Sequence, residues 1–407
     1  MMETFDTPAL LQHPAADPGN WLLDPAVTYL NHGAFGACPR VVLEYQQGLR
    51  QRLERQPLQF LARDLEPMLD AARNTLAKFV GADPANLVFV PNATTGVNTI
   101  LRSLDWKSGD EVIVTTQEYN ACRNALDFVA QRFELNVIVV HIPFPLSAGD
   151  EPIAALLEKV TERTRLVLID HVTSQTGMVL PVERIVRAMT ERGIETLIDG
   201  AHAPGMVLLN LKELGATYYT GNCHKWLCAP RSAAFLHVLP HRQAAIRPLT
   251  ISHGANSLRK DRSRFQVEFA WMGTWDPTAA LSVSEALRFM GSLLPGGWVE
   301  IRARNRALAL AARELLCNAL EVAAPCPQEM IGSLASIPLP ARFAHEEPVL
   351  PVNEHPLQMR LLEKHGIEVP IMPWTSGSRL IRVSAQLYNS LPQYERLADA
   401  LLSDSAG

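Results

Sequence analysis

Three short stretches of the chain carry residue types that do chemistry together. In YYTGNCHKWLCAP, over 218–230, a single lysine, Lys225, stands between a histidine and a tryptophan with cysteines on either side. A lysine partly desolvated among Trp226, Leu227 and Ala229 has its charged form disfavoured, which brings its neutral, nucleophilic amine within reach. Such amines form Schiff bases with carbonyls; an ordinary packed lysine is the alternative. In TLIDGAHAPG, over 196–205, Asp199 closes an apolar run and is followed by Gly200 and His202. That carboxylate suits a buried cation, a metal shared with His202, or the cap of a turn. Metal is the weakest of these, because Cys223, His224 and Cys228 lack the paired spacing of a structural zinc site, and no metal is expected. In VPNATTGVN, over 90–98, two hydroxyls and a glycine open a helical pattern. Free backbone N–H groups and the helix dipole favour an anion such as phosphate there. Thr94 or Thr95 suits a plain N-cap equally well.

The elements that must position these residues are legible as a periodic pattern. β-branched apolar runs, NLVFV, EVIVTT, NVIVVHI, RLVLIDHV, ETLIDGAH and ATYYTG, recur between about residues 65 and 240. Between most of them lie helical patterns, such as PMLDAARNTLAKFVG, which puts Met68, Leu69, Ala72, Leu76, Phe79 and Val80 on one face. Strands alternating with helices predict a mostly parallel sheet covered on both faces. Ligands then collect at the carboxyl ends of strands, and PNATTG, TTQEYN, DHVTSQ and DGAH all fall at that rim. Beyond about residue 275 the texture changes to one long helix, GWVEIRARNRALALAARELLCNAL, and several short α+β pieces. The expected division is an N-terminal segment with a large domain over 1–275 and a small C-terminal α+β domain over 276–407.

Composition excludes several function classes. The chain has 407 residues, 47% hydrophobic and 19% charged, an ordinary globular balance. A net charge of −5 and a pI near 6.2 give no general attraction to nucleic acid or anionic membrane. No apolar run is long enough to span a bilayer and the N-terminal residues do not read as a signal peptide, so a cytosolic location is expected. Six cysteines without dense or repeating spacing read as reduced thiols. The basic run LRKDRSR, over 258–264, reads as a solvated loop or as a segment reaching an anionic ligand or a second subunit. No G-x-G-x-x-G turn follows the first strands, which excludes a nicotinamide dehydrogenase.

A phosphate-binding helix start, a strand-end aspartate and a sequestered lysine are together the parts pyridoxal phosphate needs: an anchor, a partner for the pyridine nitrogen and a Schiff-base amine. YLNHGAFGACP, VPNATTGVNTILRSL, LIDGAHAPG, YYTGNCHKWLCAPR, MGTWDP and IRVSAQLYN occur here in an order that resembles the class V family of pyridoxal-phosphate enzymes, of fold type I, in its isopenicillin N epimerase-like branch. The resemblance covers nearly the whole chain. It implies a seven-stranded large-domain sheet, with Lys225 as the Schiff-base lysine and Asp199 at the pyridine nitrogen. It further implies that Thr94, Thr95, His224 and Asn222 hold the phosphate and that Tyr119 lies over the cofactor where many relatives have histidine. Ser174 and His202 would stand near the ring hydroxyl, where many relatives have Asn and Gln. Gly273 and Thr274 resemble the pair that a neighbouring subunit contributes to the phosphate site, which implies a homodimer with shared active sites. Arg382 matches the arginine that takes the carboxylate of an amino acid substrate, and Asn31 and His32 are expected on the substrate side.

In such enzymes Lys225, once displaced by the substrate amine, is the natural base for the α-proton. The fate of the resulting carbanion decides the reaction. Reprotonation on the opposite face is epimerisation, and loss of a β-substituent is a lyase reaction, here on a cysteine S-conjugate as in hercynylcysteine sulfoxide lyases. Reprotonation at the cofactor carbon is transamination. A cysteine desulfurase would need a mobile thiol, and neither Cys317 nor Cys326 lies in a suitable loop motif. Epimerisation needs a second base that the sequence does not name. A non-catalytic module on the same fold would have no need to retain Lys225.

Overall fold

The computed structural model describes residues 10–343, 355–374 and 377–404. Strand β1 (Thr28–Tyr29) precedes a seven-stranded sheet. The sheet comprises β2 (Leu87–Val90), β3 (Glu111–Thr115), β4 (Asn136–Val140), β5 (Thr164–Asp170), β6 (Glu195–Asp199), β7 (Tyr218–Asn222) and β8 (Ala234–Val238), in the order β2-β8-β7-β6-β5-β3-β4. Only β8 runs antiparallel to its neighbours. The six strands legible in the sequence fall within a residue or two of their expected places. The seventh, AFLHV, comes directly after the lysine turn and returns as an antiparallel partner of β7, so no strand-helix alternation signals it.

Alternation along the strands sends side chains to two apolar layers. Ile198 and Tyr219 enter one, with Leu69, Leu76 and Val80 of helix Leu65–Val80 and Ile185 of helix Val182–Thr190. Leu197 and Tyr218 enter the other, with Val97 and Ile100 of helix Ala93–Ser103 and Leu126 of helix Asn120–Phe133. Burial on both faces is why these strands read as unbroken apolar runs.

The long helix spans Gly297–Leu320, as its sequence predicts. It accompanies a three-stranded antiparallel sheet of β9 (Leu334–Pro338), β11 (Ile371–Pro373) and β12 (Arg379–Ser384), with β12 central. β10 (Ile367–Glu368) pairs in parallel with β1, which fastens the N-terminal segment to the C-terminal part of the chain. A small apolar cluster of Trp21, Ala37, Cys228, Leu387 and Tyr388 joins that segment to the turn that carries Lys225. Among the described residues no helix is long and apolar enough to cross a membrane.

The basic run over 258–264 is tied down by acids. Arg259 pairs with Glu66 at 2.8 Å, Arg262 with Glu66 and with Asp70 at 2.6 Å, and Arg264 with Glu268 at 3.0 Å. These contacts to helix Leu65–Val80 and to its own helix, Arg264–Ala270, engage the arginines locally, and none of the run lines the cavity at the strand ends.

Candidate active site

Turns at the carboxyl ends of five strands converge on a cavity of about 250 Å³. Asn92 and Thr94 come after β2, Tyr119 after β3, Ser174 after β5, Asp199 and His202 at and after β6, and Asn222, His224 and Lys225 at and after β7. Ala34 and Phe35, in the short helix His32–Phe35, also line it. Parallel strands end on the same side of the sheet, so residues distant in sequence share one rim.

Lys225 is half-buried, and its amine lies 2.9 Å from His202 Nε2. Burial, helped by the charge of Arg382, pushes its pKa down to about 8, against the smaller opposing pull of Asp199, Asp170 and Cys122. The amine is still mostly protonated near pH 7, but its neutral form is far easier to reach than that of an ordinary lysine. His202 and His224 are also pushed down by burial, His224 to about 4, so both are neutral rings. His224 Nδ1 faces the Ala233 carbonyl at 3.1 Å and donates to it, which leaves Nε2 free of that bond.

Asp199 accepts from the Ala201 N–H at 2.9 Å and from the Cys122 thiol at 3.2 Å. Burial raises its pKa, while those two hydrogen bonds and Lys225 oppose the rise. Glu118, Cys122 and Asp199 place one ligand-type atom each within 4.8 Å of one another. Burial and the Asp199 charge hold the Cys122 thiol far above its ordinary range, so it is a protonated donor rather than the thiolate a metal requires.

At the helix start, Asn92 is the N-cap and takes both the Thr95 N–H, at 2.8 Å, and the Thr95 hydroxyl, at 3.0 Å. Asn222 takes the Ala93 N–H at 2.9 Å. Among the described residues the Thr94 N–H is then the one of the first three left for an anion.

Arg382, on β12, is buried, and its Nη1 donates to the carbonyl of Ser174, a cavity residue. Burial lowers its pKa to about 10, so it stays charged, and its Nε has no partner. Arg382 does not itself line the cavity, but an unpaired donor on a buried guanidinium just behind Ser174 has the chemistry to receive a carboxylate.

Besides Arg382, four expected residues do not line this cavity. Thr95 is turned back onto Asn92, because a local cap needs no displacement of the chain. Thr274, expected to reach the site of a neighbouring subunit, is exposed in the segment after helix Arg264–Ala270 and does not line the cavity of its own chain. Asn31 stands at the N-cap position of the helix His32–Phe35 without a side-chain cap bond, and its side-chain amide donates to Glu368 at 3.4 Å. His32 is wholly buried behind the lysine, where its ring meets Tyr388 Oη at 2.9 Å and the Lys225 carbonyl at 3.0 Å. The tight approach explains it: Gly36 has φ +69°, and a Cβ there would lie 2.0 Å from the His224 carbonyl oxygen. His32 therefore braces the lysine turn rather than facing substrate.

Two lining or supporting residues were not singled out in the sequence. Asp170 lines the cavity opposite Asp199 in the β5–β6 register, and its Oδ2 is buried without a partner. Burial and the charges of Glu118 and Asp199 hold it well above the usual carboxylate range. The strand-end logic that picks out Asp199 applies to the DHV of β5 as well. Trp226 donates to His202 Nδ1 at 3.4 Å, a contact with no sequence signal.

A half-buried lysine with a lowered pKa, a buried carboxylate, a helix start with a free amide and a buried arginine with one unpaired nitrogen fit pyridoxal phosphate with an amino acid. Lys225 would carry the cofactor, Asp199 would face its ring nitrogen, and Thr94 and His224 would hold its phosphate. When bound, pyridoxal phosphate supplies a carbonyl for amines and a ring that stabilises negative charge at the α-carbon. Fold and site together define a pyridoxal-phosphate-dependent enzyme of fold type I. The sequence model of the class-V aminotransferases matches residues 29–397, and the chain belongs to that family.

The isopenicillin N epimerase of Amycolatopsis lactamdurans is 35% identical over 393 residues, 93% of this chain and 95% of that protein. That of Streptomyces clavuligerus is 33% identical over 94% of this chain and 96% of its own length. The probable chloroplastic L-cysteine desulfhydrase of Arabidopsis thaliana is 31% identical over 93% of this chain and 83% of its own. A solved complex of the cystine C-S lyase C-DES with cysteine persulfide superposes with a TM-score of 0.73 at 23% identity, covering 92% of this chain and 97% of the other. The cysteine desulfurase of Thermococcus onnurineus NA1 gives 0.76 at 18% identity, covering 94% and 95%. At these identities the two structures speak for the fold.

Proposed function

We propose that this enzyme removes the α-proton of an amino acid and lets a solvent-derived proton be added at the opposite face, an epimerase of the isopenicillin N epimerase type. The observation that carries the first half is a cavity lysine, Lys225, with a lowered pKa together with a buried Arg382 whose Nε is unpaired and whose Nη1 holds the lining residue Ser174. Arg382 takes the α-carboxylate and so fixes the substrate's orientation. Lys225, freed by the substrate amine, accepts the α-proton at Nζ, a role its lowered pKa suits. Asp199 holds a negative charge against the ring nitrogen. Tyr119, 44% exposed at the mouth, covers the cofactor. The two epimerases at 33–35% identity support the second half.

One observation favours a second reading, β-elimination. The cavity brings in one amine base, while burial drives its histidines down and the Tyr119 hydroxyl up, and elimination needs only one base. The desulfhydrase relatives support this reading. Proton NMR in deuterated buffer on the cofactor-loaded enzyme, with a panel of amino acids that includes cysteine S-conjugates, separates the two. Deuterium at the α-carbon of an inverted product, without keto acid, is expected for the epimerase. Pyruvate and ammonia would replace that reading by the lyase.

The same proposal includes a homodimer. Thr274 is exposed, Gly273 has φ +102°, and Leu249, Ile251 and Leu258 are 45%, 60% and 93% exposed in the neighbouring segment. Light scattering at micromolar concentration is expected to give twice the 45.0 kDa chain mass; a 45.0 kDa species would reject shared active sites.

A further inference from the structure

We propose that Trp226 is a positioning residue that locks His202 in one neutral tautomer, so that the ring presents a donor rather than an acceptor to the Lys225 amine. Trp226 Nε1 lies 3.4 Å from His202 Nδ1, and His202 Nε2 lies 2.9 Å from Lys225 Nζ. An indole nitrogen can only donate. His202 Nδ1 therefore accepts, and the one proton of the neutral ring sits on Nε2. That N–H points at Nζ, which must accept it through its lone pair. A protonated amine has three donors and no acceptor, so an ammonium at this spot faces a donor and is disfavoured.

The surroundings hold this arrangement in place. Trp226 is 2% exposed, its ring centroid lies 4.9 Å from that of His32, and His32 Nε2 reaches the Lys225 carbonyl at 3.0 Å. On the other side Gly205, at φ +91°, passes so close that a Cβ would sit 2.6 Å from the Trp226 carbonyl oxygen. Burial keeps His202 neutral well below its ordinary range. Of the charged groups that act on Lys225, Arg382 on β12 works in the same direction as the locked ring. Asp199, Asp170 and Cys122 oppose it. The inference rests on the reading of Lys225 as the base.

The test uses the apo protein labelled with ¹⁵N in histidine and lysine, so it does not depend on turnover. Above the Lys225 midpoint of about 8, where the amine has a lone pair to accept with, wild type is expected to show His202 protonated at Nε2 and bare at Nδ1, and the overturning outcomes below are read in that range. Trp226→Phe keeps the ring and removes the donor. It is expected to mix the two tautomers and to raise the Lys225 midpoint by about one pH unit. A proton on Nδ1 in wild type overturns the proposal without any variant, which covers the case of a Trp226→Phe chain that does not fold. An unchanged tautomer in a folded Trp226→Phe also overturns it. Deuterium exchange at the substrate α-carbon alongside the wrong tautomer would spare the proposed function and remove only this inference; the reverse pattern would do the opposite.

Discussion

Replacing Lys225 by methionine should make the apo protein more stable at neutral pH while abolishing its chemistry. The drop of the lysine pKa from 10.5 to about 8 costs the folded state about 3 kcal/mol, at about 1.4 kcal/mol per pH unit. Because the folded value lies below the unfolded one, the unfolded chain binds more protons between them, and stability rises with pH across that window. The penalty is present in full below about pH 8 and fades as the pH approaches 10.5. Methionine has nearly the same bulk, carries no charge and gives up the hydrogen bond to His202, worth about 1 kcal/mol. The net expectation for Lys225→Met is a gain of about 2 kcal/mol at pH 7 that shrinks to nothing, or reverses, above about pH 10. Paired urea titrations of the two apo proteins at several pH values measure this directly, since every other titrating group cancels in the difference. A variant no more stable than wild type at pH 7, or one whose advantage is constant with pH, would refute the claim that burial lowers the pKa of Lys225.

Arg382→Gln removes the carboxylate receptor and is expected to lower kcat/KM by about 10²-fold or more, chiefly through KM, in steady-state kinetics on the substrate found by NMR. Asp199→Asn leaves the shape of the site but removes the charge facing the ring nitrogen; a fall in kcat of about 10²-fold, with cofactor still reducible onto Lys225 by borohydride, is the expected result. Gly36→Ala pushes a methyl into the His224 carbonyl at a positive-φ position, and thermal unfolding should show a loss of at least about 2 kcal/mol together with weaker cofactor retention. His32→Phe keeps a ring but drops the hydrogen bonds to Tyr388 and to the Lys225 carbonyl; borohydride fixation of cofactor should fall while substrate KM holds, and a KM effect alone would return His32 to the substrate side.

The sequence by itself carried most of the sheet and the principal chemistry. β-branched runs spaced by amphipathic helices dictate parallel strands, and parallel strands force their carboxyl-end turns onto one rim, so Thr94, Asp199, Asn222 and Lys225 had to share a neighbourhood. Local physics sufficed there, because strand period and strand-end position are properties of a few consecutive residues. A shared neighbourhood leaves open which way a side chain turns. Thr95 and Thr94 are adjacent and chemically identical, yet a competing cap, Asn92, takes Thr95 out of the site. His32 and Asn31 sit in a motif beside the cavity, but the fit of Gly36 against the His224 carbonyl turns the histidine onto the back of the lysine turn. The partnering of Trp226 with His202, of Cys122 with Asp199, and of Arg382 with the Ser174 carbonyl depends on distances between residues 24, 77 and 208 positions apart. Desolvation and hydrogen bonding are set by what packs around a group in three dimensions. Residue type and order therefore named the lysine and its aspartate, and only the packed fold decided their protonation and their partners.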